Sequence, residues 1–133
     1  MAHNIQMFRE KSLIIHDLDL IVLMAFALKL IRENPQYAVL EECAEQWKCA
    51  LANYGPGVLD LGLEELENAP TKIDALAALL TGIEVEVIRS GERVPASVLN
   101  ALTDRVPGVV FSDYKVELIL ELIRAFRCLL TDS

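Results

Sequence analysis

Along most of this chain the apolar positions recur at helical rather than strand spacing. Residues 17–31 read D-L-D-L-I-V-L-M-A-F-A-L-K-L-I, and residues 20–28 are apolar at every position. A helix without a polar face needs cover on all sides, so this stretch is expected to be the central, buried first helix of a small bundle. Asp17 is expected to cap it, with Asp19 in the first turn where the helix dipole favours negative charge. Pro35 ends it by disfavouring a helical Asn34. A second helix is expected over residues 36–54, because Leu40, Cys43, Ala44, Trp47, Leu51 and Tyr54 keep the i, i+3, i+4, i+7 spacing. Its other side carries Glu41, Glu42, Glu45, Gln46 and Lys48. A short helix around Leu63 and Leu66 follows, weakened by Gly62. A third long helix opens at Pro70, with Thr71 and Asp74 spaced as the acidic variant of a capping box.

Residues 83–94 support two readings. Ile83, Val85 and Val87 alternate with Glu84 and Glu86, a strand-like period of two with Ser90-Gly91 as turn. Against this, no facing strand of comparable length is evident beyond Val109-Val110-Phe111, and an isolated hairpin is marginally stable. Continuing the helix through Gly82 costs about 1 kcal/mol relative to alanine, which packing supplies, so helix is preferred. Pro95 suits the first turn of a short helix, and Ser112 is expected to cap the last one, which runs to about Leu130. The fold class expected is therefore mainly α: a compact bundle of about five to six helices, with a small β-hairpin near residues 83–94 as the alternative. Residues 1–133 are expected to form a single helical domain, with residues 1–11 a loosely ordered arm.

Composition alters this picture in one respect. The chain of 133 residues is 53% hydrophobic without counting glycine, above the usual level of about 45–50% with glycine included. A domain of this size buries roughly two-thirds of its unfolded surface, so some apolar surface is expected to be covered by a second copy. The last helix offers the widest apolar face, and Tyr114, Leu118, Leu122 and Phe126 are expected to form a self-association surface, making a homodimer. The net charge of −8 argues against nucleic acid or an anionic membrane as partner and suits a basic protein partner. Glu10, Asp17 and Asp19 spoil a signal peptide, and the uninterrupted apolar run is shorter than the roughly 20 residues of a membrane span. A soluble, unprocessed, cytoplasmic protein is expected. Cys43, Cys49 and Cys128 form neither a disulfide framework nor a zinc motif and are expected to be buried thiols.

Candidate chemistry is sparse. His16-Asp17-x-Asp19 offers an imidazole and two carboxylates, but the only other histidine, His3, lies in the expected arm. A helix start explains these residues without a ligand. Glu42-x-x-Glu45 and Glu64-x-x-Glu67 each place two carboxylates on one helical face, where a magnesium ion could be held. This spacing is similar to the acidic signature of the all-α nucleotide pyrophosphohydrolases, E-x-x-E followed by E-x-x-D, with Glu67 standing where that family has aspartate. The resemblance implies a magnesium-dependent nucleotide hydrolase. The main expectation is instead a non-enzymatic protein without cofactor, which self-associates and binds a protein partner or a small apolar ligand. An inhibitor or immunity-type protein is one concrete version.

Overall fold

The computed structural model describes residues 2–104 and 106–131, and the fold is mainly α. Five α-helices are present among the described residues: α1 (Asp17–Glu33), α2 (Glu41–Ala52), α3 (Pro70–Ile88), α4 (Ala96–Leu102) and α5 (Val116–Leu130). Short 3-10 turns at Pro35–Leu40 and Leu63–Leu66 flank α2 and lead into α3. No helix among the described residues is long and apolar enough to cross a membrane.

The α1 helix ends where its sequence requires. Asn34 is extended ahead of Pro35 and returns its N–H to the Leu30 carbonyl at 3.0 Å. Residues 20–27 are all buried, and α1 touches each of the other four α-helices. Its outer edge is tied down by Lys29, whose ammonium reaches Glu33 at 3.0 Å and Glu86 of α3 at 2.8 Å.

The N-terminus departs most from the sequence reading. Residues 3–16 are an antiparallel hairpin, not a loose arm: β1 (His3–Phe8) pairs with β2 (Lys11–His16), with Ile5 opposite Ile14 and His3 opposite His16. The two linking residues, Arg9 and Glu10, have φ of 47° and 67°. Positive φ at both central positions is what a tight hairpin turn needs to match the strand twist. The backbone N–H of Arg9 donates to the Glu67 carboxylate. At the same end Lys11 donates to the carbonyls of Cys128 and Thr131, at the end of α5.

Residues 83–88 finish α3 as helix, so the hairpin alternative there is not realised. Arg93–Val94 (β3) instead pairs with Tyr114–Lys115 (β4), twenty residues further along the chain. Three expected caps also differ. His16 precedes α1, and Asp17 is its first residue. Ala69 precedes α3 and the Thr71–Asp74 box is not formed, because Pro70 already supplies the first helical position. The last helix starts at Val116 rather than after Ser112, and Asp113 accepts the Ala96 N–H of α4 at 2.9 Å. Residues 36–40 are 3-10 rather than α, which turns Tyr37 and Leu40 into the core. The intervening loop is clasped to α4 by Asn100, whose amide donates to the Phe111 carbonyl (2.9 Å) and accepts the Phe111 N–H (2.8 Å).

Candidate functional site: the two faces of the N-terminal hairpin

Alternation along β1 sends Asn4, Gln6 and Phe8 inward and His3, Ile5 and Met7 outward. The polarity is inverted: two amides are buried and two aliphatic chains face water. The amides persist inside because the nitrogen and the oxygen of each are hydrogen-bonded. Gln6 donates to the Leu59 carbonyl (3.0 Å) and to Asn4 Oδ1 (2.8 Å), and it accepts the Leu61 N–H (2.9 Å). Asn4 in turn donates to Asp17 Oδ1 at 2.9 Å. Beside it, Trp47 of α2 donates its indole N–H to the Leu61 carbonyl at 3.0 Å.

Asp17 is the hub of this network. Its Oδ2 accepts the Tyr54 hydroxyl (2.9 Å) and the Gly57 N–H (2.8 Å). Burial alone would push the Asp17 carboxyl up, but the Gly57 N–H, Asn4, Tyr54 and nearby His16 outweigh it and hold the group below its ordinary value. Tyr54 is pushed up to about 12 by burial and by its bond to the Asp17 carboxylate. Asp17 is therefore an ionised structural hub, not the cap that its position in sequence suggests.

The outer face presents Ile5 (58% exposed), Ile14 (67%) and Met7. His3 and His16 close one end of it, their rings edge-on with centres 4.7 Å apart. Leu18, on the first turn of α1, is also exposed.

The surface expected on the last helix is largely used up inside the chain. Phe126 (2% exposed) and Leu122 (9%) belong to the chain's own core, because α5 packs against both α1 and α3. Leu118 is exposed, and Tyr114 is half-buried and edge-on to Phe111, with its hydroxyl buried and without a hydrogen-bond partner among the described residues. The four glutamates are not gathered either. Glu42 lies 3.6 Å from Lys72, Glu45 is 3.0 Å from Lys48, Glu64 is exposed, and Glu67 accepts the Arg9 N–H. Among the described residues no group of three or more His, Cys, Asp or Glu side chains is set to hold a metal ion. Of the cysteines only Cys43 is buried, and burial pushes its thiol up; Cys49 and Cys128 are exposed.

Two spaces remain. One is a cavity of about 20 Å³ in the core, walled by Leu23, Met24, Trp47, Leu63, Leu79 and Phe126 among others. It has room for about one water but only apolar walls, so it stays dry and is too small for an apolar ligand. The other is an open groove of about 490 Å³ beside α2, lined by Leu28, Ile31, Arg32, Glu42, Glu45 and Lys48, with two more residues. Its wall carries the carboxylates of Glu41, Glu42 and Glu45 against the two cations Arg32 and Lys48. Comparison with protein-family models, with curated proteins and with solved structures returns no match.

Proposed function

We propose that this chain is a non-enzymatic, cytoplasmic binding protein, a helical bundle organised around α1, which joins a second copy through the outer face of its N-terminal hairpin. One observation carries the reading: Ile5 and Ile14 stand directly opposite each other in register, and both are more than half exposed. A hairpin with buried amides and exposed aliphatics makes sense when that outer face is covered by something else. This face lacks the acidic excess that sets copies of the chain against one another elsewhere. Each copy carries −8 overall, yet residues 3–16 hold Arg9 and Lys11 against the single carboxylate of Glu10. A two-fold arrangement would bring Ile5 and Ile14 of each copy against the same residues of the other.

The exposed acidic side of α2, with Glu41, Glu42 and Glu45, supports a second reading. There the protein covers a basic site on a target in the manner of an inhibitor or immunity protein, its encounter accelerated by charge. Association would then slow steeply as salt is added.

Light scattering on the wild type and on the Ile5→Lys and Ile14→Lys variants tests the first reading. The expected result is a two-chain particle for the wild type and single chains for both variants, with unchanged helical circular dichroism. A wild-type monomer at millimolar concentration, or a dimer indifferent to both lysines, rules the hairpin face out.

A further inference from the structure

The outward face of α3 is used neither by the core nor by the hairpin dimer. Asp74, Thr81 and Ile88 follow one another at seven-residue spacing, and Ala77, Ala78 and Val85 fall between them, so all six share one side of the helix. All six are exposed, Val85 at 49% and Ile88 at 54%. Ala77, Ala78 and Thr81 are small, which lets another helix approach closely. The Thr81 hydroxyl is already bonded within the chain: it donates to the Ala77 carbonyl at 3.4 Å and accepts from Arg127 at 3.1 Å.

The charges around this face cancel, in a chain whose net charge is −8. Glu84 on one flank is paired with Arg127 of α5 at 2.9 Å, and Glu86 on the other with Lys29 of α1 at 2.8 Å. That leaves Asp74 towards one end and Arg89, the residue following α3, at the other. The Arg89 side chain is 75% exposed; Glu86, 3.8 Å away, is held more closely by Lys29. Asp74 stands seven residues before Thr81, and Arg89 seven after Gly82. At 1.5 Å per residue, both lie about 11 Å from the midpoint between Thr81 and Gly82.

We propose that α3 pairs antiparallel with α3 of a second copy, about a two-fold axis at that midpoint. The axis sets Asp74 against the partner's Arg89 and Arg89 against the partner's Asp74. It also sets each Val85 opposite the partner's Ala78, aliphatic against small. A face complementary to itself in charge and in size fits a second copy better than an unrelated helix, which would have to match both. The contact runs along about 20 Å of one helix, less than a standard interface, so pairing is weak and reversible. It does not involve the hairpin. With both faces in use, two-chain particles join further.

Sedimentation equilibrium on the full chain carrying Ile5→Lys, which closes the hairpin face, reads this pairing alone. The expected result is a monomer–dimer equilibrium emerging between roughly 0.1 and 1 mM. Asp74→Arg and Arg89→Asp in that background should each weaken it by about fivefold or more, because each sets like charges together at two symmetric places. Asp74→Arg makes the chain less acidic, so bulk repulsion alone would tighten association; the site predicts the opposite. Mixing the two single variants, or joining both changes in one chain, restores opposite charges at both places. Affinity should then return to within about twofold of the starting chain. Both residues are exposed, so the variants are expected to fold, and circular dichroism checks each. An Asp74→Arg chain that pairs as well as the starting one, or a mixture that fails to recover, overturns the pairing. So does a chain that stays single at about 1 mM, which leaves the face to another protein's helix. Wild-type pairing that ignores Ile5→Lys but falls with Asp74→Arg overturns the hairpin interface and supports this one.

Discussion

The Tyr54 hydroxyl, just beyond α2, donates across 2.9 Å to the carboxylate of Asp17, the first residue of α1. The two residues are 37 positions apart, and their bond joins the ends of two helices to the hairpin through Asn4. Removing the hydroxyl in Tyr54→Phe is expected to cost about 1.5–3 kcal/mol, the range for a hydrogen bond to a charged group. Asp17→Asn should cost more, at least about 3 kcal/mol, because an amide turns donor hydrogens toward groups that are donors themselves. Urea unfolding gives both values. The double variant should lose less than the sum, since the two side chains share one bond.

The same pair sets a pH response at each extreme. The Asp17 carboxyl is held below its ordinary value in the folded chain. Its stabilisation is therefore complete above the unfolded value of about 3.9 and is lost as pH falls through the lower folded value. Asp19 is shifted the other way by burial, so acid relieves a cost there and partly offsets the loss. Asp17→Asn should unfold over a flatter acid limb than the wild type. At high pH, Tyr54, raised to about 12, and Lys29, raised by its bonds to Glu86 and Glu33, both contribute below their unfolded values. Both contributions are lost as pH climbs through the folded ones. Tyr54→Phe should remove the tyrosine part of that alkaline loss, as read by thermal melting between neutral pH and pH 12.

Gly82 sits inside α3, where alanine would ordinarily gain about 1 kcal/mol. A Cβ there would stand 2.7 Å from the Tyr37 hydroxyl and 3.4 Å from a Leu30 methyl. Tyr37 is itself buried, so its ring has little room to retreat. Gly82→Ala is expected to destabilise by about 1–2 kcal/mol through overpacking. The same change in a Tyr37→Phe background should be neutral or favourable, which equilibrium unfolding of the four proteins of that cycle will show.

Arg9 and Glu10 occupy left-handed backbone without being glycine or asparagine, at a cost of roughly 1–2 kcal/mol for each such residue. Replacing the pair with Asn-Gly keeps the turn and relieves that strain. An increase in stability of about 1 kcal/mol is expected, measured by urea midpoint. The gain should persist in Glu67→Gln, which leaves the backbone geometry of the turn in place.

These residues also show why some of the fold was legible and some was not. The α1 helix was readable because its apolar run is unbroken and Pro35 stops it. The helical continuation through Gly82 was readable because no strand of matching length faces residues 83–88. The hairpin was hidden by its own chemistry: residues 3–8 do alternate, but Asn4 and Gln6 take the inward positions where pattern reading looks for aliphatics, and the turn lacks asparagine or glycine. The apolar stripe of α5 was visible, yet its width reflects two neighbours within the chain, α1 and α3, so Leu122 and Phe126 left no surface to share. Asp17 was noticed for its place at a helix start. Its partners Tyr54 and Gly57 lie 37 and 40 residues away, and no local spacing announces them.

The inverted polarity of β1 has only a limited thermal consequence. Oily contacts between helices lose strength as water is chilled, whereas the amide and carboxylate bonds that moor the hairpin do not draw on that driving force. Near freezing, amide protons of residues 4–6 should nonetheless stay protected only as long as the helical body does, because Phe8 and Ile15 sit in the same apolar core and a hairpin on its own is marginal.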